Sequence, residues 1–330
     1  MKLIHRAARP VMCLLAIILV GCQPPAPAPP AAGGGGASAP SGTPAKGKGV
    51  IGVSLLDLAN PFFKVMADAM KAEGEKNGYE VLITSGGMDP ARQKDQVKDF
   101  IIKKVSAIIL CPCDARSIGT SIIEANEAGI PVFTADTGCL DPKAKIVTHV
   151  ATDNYLGGKQ AGQAMVEALH GKGTVAIIDH PEVESVILRT KGFREVLNDA
   201  KGLKIVADLP GGAERDKSYK TAQDILEKNP DLAGIFCIND PTAFGAVAAV
   251  EKAGRQGKIK IVSFDGMPEA KKAIKDGKIF AEPIQYPDKI GTITVQSIEK
   301  YLAGEKPEAK ILIPSALYTK EMADKDDSVK

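Results

Sequence analysis

Gly52-Val53-Ser54-Leu55-Leu56-Asp57-Leu58-Ala59-Asn60-Pro61-Phe62-Phe63 carries an apolar strand into a helix start, and the rest of the chain repeats that pattern. Residues 50–56 read as a buried strand. Asn60 can cap the free N–H groups of a following helix, and Pro61 suits the first helical position, where its missing donor costs nothing. Two adjacent Phe residues on a first helical turn cannot both enter one core face. At least one ring is therefore expected to point over the strand ends, where open α/β sheets bind their ligands.

Outward from this stretch, apolar runs of strand length alternate with amphipathic helical ones. Residues 50–56, 80–84, 107–110 and 132–135 read as strands, separated by helical patterns at 64–76, 91–103 and 117–128. After 146–150 and a helix over 154–169, the rhythm restarts at 174–178 and runs to about 285. Alternation of this kind predicts α/β architecture with a parallel sheet covered on both faces. There are enough elements for two doubly wound parallel-sheet lobes, with an exchange near Ala151-Thr152-Asp153. The charged stretch 321–330 reads as a frayed tail.

The 330 residues are long enough for two domains of ordinary size, and 44% of them are hydrophobic. A formal charge of +2, with no Trp, gives no reason to expect a nucleic-acid surface. Lys2, Arg6 and Arg9 are the only charged side chains in the first 21 residues, which leaves −1 for the remainder. That basic start, the apolar run 11–20 and Gly21-Cys22 read as a signal peptide over 1–22. The run is shorter than the ~20 residues a bilayer span needs. Leu19-Val20-Gly21-Cys22 resembles a lipobox, with Cys22 as the lipidated residue. Residues 23–48, rich in Pro, Ala and Gly, read as a tether. Gly47-Lys48-Gly49-Val50-Ile51-Gly52 satisfies G-x-G-x-x-G but precedes its strand, so it cannot cradle a phosphate.

Polar residues recur at the carboxyl ends of the predicted strands: Asp136, Asn239-Asp240, Asp265 after Phe264, and Gln285. Each alone reads as a helix cap, the commoner role of Asp and Asn in such loops. Together, carboxylates and amides with interleaved rings suit a neutral polyhydroxyl ligand, since Asp accepts hydroxyl hydrogens, amides give and accept, and rings lie on C–H faces.

Asn60-Pro61-Phe62-Phe63, Asp153-Asn154 with Gly157-Gly158, Arg189 before Gly192-Phe193, Asn239-Asp240, Phe264-Asp265-Gly266 and Gln285 before Pro287-Asp288 together resemble the periplasmic sugar-binding proteins of ribose-binding type. The resemblance covers about 49–320. It implies a ligand closed between two lobes joined by a multi-strand hinge, with 49–152 plus 286–313 forming one and 153–285 plus 314–320 the other. It also implies that Asn60, Asp136, Arg189, Asn239, Asp265 and Gln285 hydrogen-bond the sugar, while Phe62, Phe63 and Phe264 pack on its ring. No cofactor is implied. The implied role is a lipid-anchored, monomeric periplasmic receptor that delivers a sugar or polyol to an ABC permease. A sensor presenting its ligand to a chemoreceptor or kinase is the alternative.

Three positions depart from the pattern: Cys111 replaces the usual Asn, Thr137 the usual Arg, and Ala213 an aromatic. His180, Glu182 and Glu184 read as a solvated loop, with reshaping of the site as the other reading. Cys111-Pro112-Cys113 ends one strand and Cys139 lies just beyond the next. In an oxidising compartment Cys139 is expected to pair with Cys113, or alternatively with Cys111. Cys237 reads as core packing, and no metal site is expected, because no ligand pair has zinc spacing. A sugar-responsive repressor needs a helix-turn-helix where the signal and tether lie. Neither G-x-S-x-G, H-E-x-x-H nor a P-loop occurs, so no enzyme motif competes.

Overall fold

A computed structural model describes residues 47–329. The signal segment, Cys22 and tether residues 23–46 lie outside the described residues. The first sheet contains β1 (Gly49–Leu55), β2 (Tyr79–Ser85), β3 (Ala107–Leu110), β4 (Val132–Ala135), β5 (His149–Thr152) and β11 (Lys310–Ile313). Its order is β11-β5-β4-β3-β1-β2, parallel throughout. The second sheet contains β6 (Gly173–Asp179), β7 (Leu203–Pro210), β8 (Leu232–Cys237), β9 (Lys260–Val262), β10 (Ala281–Ile284) and β12 (Ala316–Thr319). Its order, β12-β10-β9-β8-β6-β7, repeats the first, except that β12 is antiparallel.

The central strands are apolar on both sides, as buried parallel strands must be: Ala107–Leu110 and Val132–Ala135 are buried at every position. Helices α1 (Pro61–Lys76) and α9 (Pro287–Leu302) pack together beside the first sheet. Helices α4 (Asn154–Ala168) and α5 (Glu184–Asp199) pair in the same way beside the second. Their approach needs glycine: a Cβ on Gly158 would lie 2.1 Å from the Arg189 carbonyl oxygen, and one on Gly192 2.2 Å from that of Tyr155. The chain passes between the sheets three times, after β5, after β10 and between β11 and β12. One apolar cluster joins Leu56, Phe62 and Phe63 of the first lobe to Val183, Val186 and Ile238 of the second, so the lobes meet face to face.

The C-terminal stretch is not frayed. Helix α10 (Lys320–Lys325) packs against α8 (Pro268–Lys275), burying Ala323 completely. Val329 is also buried, Tyr318 donates to Asp326, and Lys275 Nζ donates to the Val329 carbonyl. Two small apolar residues spaced through the charged tail anchor it. Among the described residues, no helix is long and apolar enough to cross a membrane.

Candidate functional site

The carboxyl ends of both sheets face one cavity of about 50 Å³ between the lobes. From the first lobe, Asn60, Phe62, Phe63 and Asp136 line it; from the second, Arg189, Asn239 and Asp265, with Gln285 at the crossing after β10. Eight of the nine residues expected to contact ligand are therefore brought together.

Asn60 is the cap of α1: its Oδ1 accepts from Phe62 N at 3.0 Å, which commits the oxygen and leaves the amide N–H₂ over. Pro61 opens the helix and turns the two rings inward, perpendicular to each other with centroids 5.2 Å apart. Both are buried, and both line the cavity. Asn239 likewise caps α7 (Asp240–Lys252) through Thr242 N at 2.9 Å.

Among the described residues, Arg189 is the only Lys or Arg side chain lining the cavity, and it is held from three sides. Nε donates to Asn154 Oδ1 at 2.8 Å, and one terminal nitrogen donates to the Ile238 carbonyl at 2.8 Å and to Asp265 Oδ1 at 3.3 Å. Its guanidinium lies 3.9 Å from the centre of the Phe264 ring. Phe264 is therefore not a ligand-stacking residue: its ring is fully buried, with Arg189 across it and Gly157 at its edge. It supports the arginine instead.

Asp265 is also accepted into a network. Gln285 Nε2 donates to its Oδ1 at 2.7 Å, which leaves Gln285 Oε1 buried with no partner. Burial pushes the Asp265 carboxyl up, against the opposing pull of Arg189. Asp136 is pushed up to about 7 by burial, with Arg189 opposing and Asp265 reinforcing the shift. Its Oδ1 is buried and unpartnered, while Oδ2 lies 3.7 Å from Cys111 Sγ. Met88, Asp136, Ala213 and Asp265 all line the cavity with φ between +54° and +115°. Only two other described residues besides glycine, Lys104 and His170, share that region. Such conformations cost on the order of 1–3 kcal/mol each, and their concentration here marks a site under constraint.

The departures each have a structural place. Thr137 Oγ1 accepts from Ser185 N at 3.2 Å, across the cleft. Gly138 N donates to Glu184 Oε2 at 3.3 Å and Ala115 N to the Glu182 carbonyl at 2.8 Å, also between lobes. The segment 180–185 is thus a bridge and not a solvated loop. Ala213 lines the cavity, and its carbonyl accepts from Asn239 Nδ2 at 3.4 Å.

The expected Cys113–Cys139 disulfide is absent, as is the Cys111 alternative; all four described cysteines are free. The sheet explains why. Cys111 and Cys113 pack in the cluster on the Ile109 side, and Cys139 packs on the Ile108 and Leu110 side. Cys113 Sγ lies 3.6 Å from the Leu56 carbonyl, and Cys139 Sγ takes Asp141 N at 3.4 Å. Among the described residues, no group of three or more metal-ligating side chains forms.

Several apolar lining residues were not anticipated, including Leu56, Met88, Val183, Val186 and Ile238. Alternation along a strand places its last residue but does not say which loop residue turns back over it.

Residues 51–306 match the model of the periplasmic binding protein domain family. The ribose import binding protein of Escherichia coli is 32% identical over 278 residues, 84% of this chain and 93% of that protein. The D-ribose/D-allose-binding protein of Pseudomonas aeruginosa is 33% identical, over 81% of this chain and 85% of its own. The crystal structure of an ABC transporter solute binding protein from Agrobacterium vitis with bound D-fucose superposes with a TM-score of 0.80 at 28% identity, covering 85% of this chain and 98% of that one.

Proposed function

The chain belongs to the periplasmic binding protein domain family, and on that premise we propose that it captures one neutral monosaccharide or polyol between its lobes and delivers it to an ABC importer. It is a periplasmic binding protein and not an enzyme. The observation that carries the reading is the pair of buried, unpartnered acceptors, Asp136 Oδ1 and Gln285 Oε1, at a cavity walled by Phe62 and Phe63. An acceptor buried without a partner costs about 1–3 kcal/mol. Ligand hydroxyls relieve that cost in both places. The charge of the one lining arginine is already paired with Asp265, so among the described residues no unpaired Lys or Arg faces the cavity to neutralise an anionic ligand.

A cavity of about 50 Å³ holds only a few waters. Sugar therefore enters with the lobes apart, and they close by rotation about the three crossings. Ligand contacts made only in the closed state pull the equilibrium toward it, and the permease reads that state. Asn60, Asp136, Arg189, Asn239, Asp265 and Gln285 supply the polar contacts in this proposal, and Phe62 and Phe63 the apolar ones. Cys22 carries the lipid that anchors a monomeric receptor to the membrane.

The test is a thermal-shift screen of residues 47–330 against aldoses, ketoses and polyols. Ligand at a hundred times its Kd adds about 2.7 kcal/mol of stability. A shift with one sugar family is expected; no shift with any carbohydrate refutes the reading. Cys22→Ser should move the full chain from the membrane to the soluble periplasmic fraction, and retention on the membrane refutes the anchor.

A further inference from the structure

We infer that His180 is a ligand-contacting residue that selects among sugars by accepting a hydrogen bond from one particular hydroxyl, and that Glu182 positions it for that task. This rests on the sugar-binding reading above and adds a residue that the resemblance did not supply.

His180 follows β6 directly, and its backbone N–H donates to Asp179 Oδ1 at 2.8 Å, which fixes the loop's exit. Its side chain lines the cavity and is 13% exposed. Nδ1 lies 3.0 Å from Glu182 Oε2. A carboxylate can only accept, so Nδ1 carries the hydrogen. Burial holds the ring below its ordinary pKa, keeping it neutral at neutral pH. In a neutral ring with hydrogen on Nδ1, Nε2 presents a bare lone pair. That atom is buried and has no partner.

Three residues that line one cavity, from three places in the chain, therefore each carry a buried acceptor with no partner: Nε2 of His180, Oδ1 of Asp136 after β4 and Oε1 of Gln285 after β10. The Gln285 assignment follows from its Nε2 donating to Asp265. With Asp136 ionised, the three acceptors require three donated hydrogens from one ligand. A site arranged in this way rejects an analogue lacking one of those hydroxyls, because the protein atom is then left buried and unpaired. Glu182 is placed to act only through the ring. Its own backbone carbonyl accepts from Ala115 of the opposite lobe, so lobe closure and imidazole orientation are set by one residue.

The experiment is calorimetric titration of the complete chain with D-ribose, D-allose and D-fucose. It is then repeated with each single-deoxy derivative of the tightest binder. In the wild type, one deoxy position should bind about tenfold more weakly than the parent through loss of the His180 contact. In His180→Phe that one gap should close, leaving the gaps at every other position unchanged. His180→Gln, which keeps an acceptor, should restore part of it, and Glu182→Ala should narrow it while lowering parent affinity less than His180→Phe does. The inference is overturned if every gap survives in His180→Phe, or if all derivatives weaken by one common factor in a variant that still binds the parent. If the wild type binds no monosaccharide or polyol at all, the proposed function falls and takes this inference with it.

Discussion

Glu282→Gln should make the protein more stable at pH 8 and leave it unchanged at pH 5. Glu282 on β10 is fully buried, and neither carboxyl oxygen has a partner that donates in its ionised form; the same holds for Oδ1 of Asp240, whose Oδ2 accepts from Met267 N at 2.9 Å. With no other partner for these oxygens, the two carboxyls can satisfy each other only by holding one proton between them. Burial pushes Asp240 well above the carboxylate range, and the nearby Glu282 adds to the shift. Burial pushes Glu282 up to about 8, Asp265 adding to it while the bond from Asp240 and the charge of Lys271 oppose it. A carboxyl that holds its proton more tightly when folded contributes stability that is full below its unfolded pKa of 4.5. That contribution is lost as pH rises through about 8. Between pH 5 and pH 8 the loss is about 3 kcal/mol for this one group. Asp136, pushed up to about 7, adds a loss of the same sign. Gln keeps an acceptor for the Asp240 hydroxyl and does not titrate. Urea denaturation of both proteins at pH 5, 6, 7 and 8 measures the effect. The wild type should lose stability across the series, and the variant should lose about 3 kcal/mol less. Parallel curves for the two proteins refute the shared-proton account.

Asp265→Asn and Arg189→Lys should each weaken sugar binding at least tenfold in calorimetric titration, about 1.4 kcal/mol; unchanged affinity in both removes them from the site. Thr137→Val removes the acceptor for Ser185 N across the cleft. With a net hydrogen-bond value of about 0.5–1.5 kcal/mol, apparent affinity should fall about two- to tenfold with no change in the thermal stability of the open, ligand-free protein. Equal affinity would mean that this bond does not contribute to closure. Burial pushes all four thiols up, but Cys139 is half-buried and the others are buried, so alkylation of the native protein without reductant should label Cys139 well before Cys111, Cys113 or Cys237. Failure of Cys139 to react until reductant is added would reinstate a disulfide.

Much of this architecture could be read from the chain because buried parallel strands leave a plain signal: short apolar runs such as Ala-Ile-Ile-Leu at 107–110, each followed by a helix with its own cap. Asn60-Pro61 marked both a helix start and one wall of the cleft for the same local reason. Phe264 misled because its neighbours in sequence do not reveal that Arg189, 75 residues earlier, covers its ring. The cysteines misled because adjacent strand ends suggested proximity, whereas packing put Cys113 and Cys139 on opposite faces of the sheet. Segment 180–185 is polar enough to read as solvated, and the sequence does not reveal that the apposed lobe, through Ala115, Thr137 and Gly138, pairs with the Glu182 carbonyl, Ser185 N and the Glu184 carboxylate. In each miss the deciding neighbour was distant along the chain.

The three passages between the sheets also set an order of assembly. The first sheet lacks its edge strand β11 and its covering helix α9 until residues 287–313 are available, and the second lacks β12 until Thr319. Neither half of the molecule can be severed at residue 152 and recovered whole, and a chain emerging from its N-terminus has no finished half to fold early. Pairing of His149–Thr152 with Lys310–Ile313 closes a loop of about 160 residues. Contacts of that span slow folding. Neither half can therefore complete before residues 310–319 have appeared, and then both can complete together.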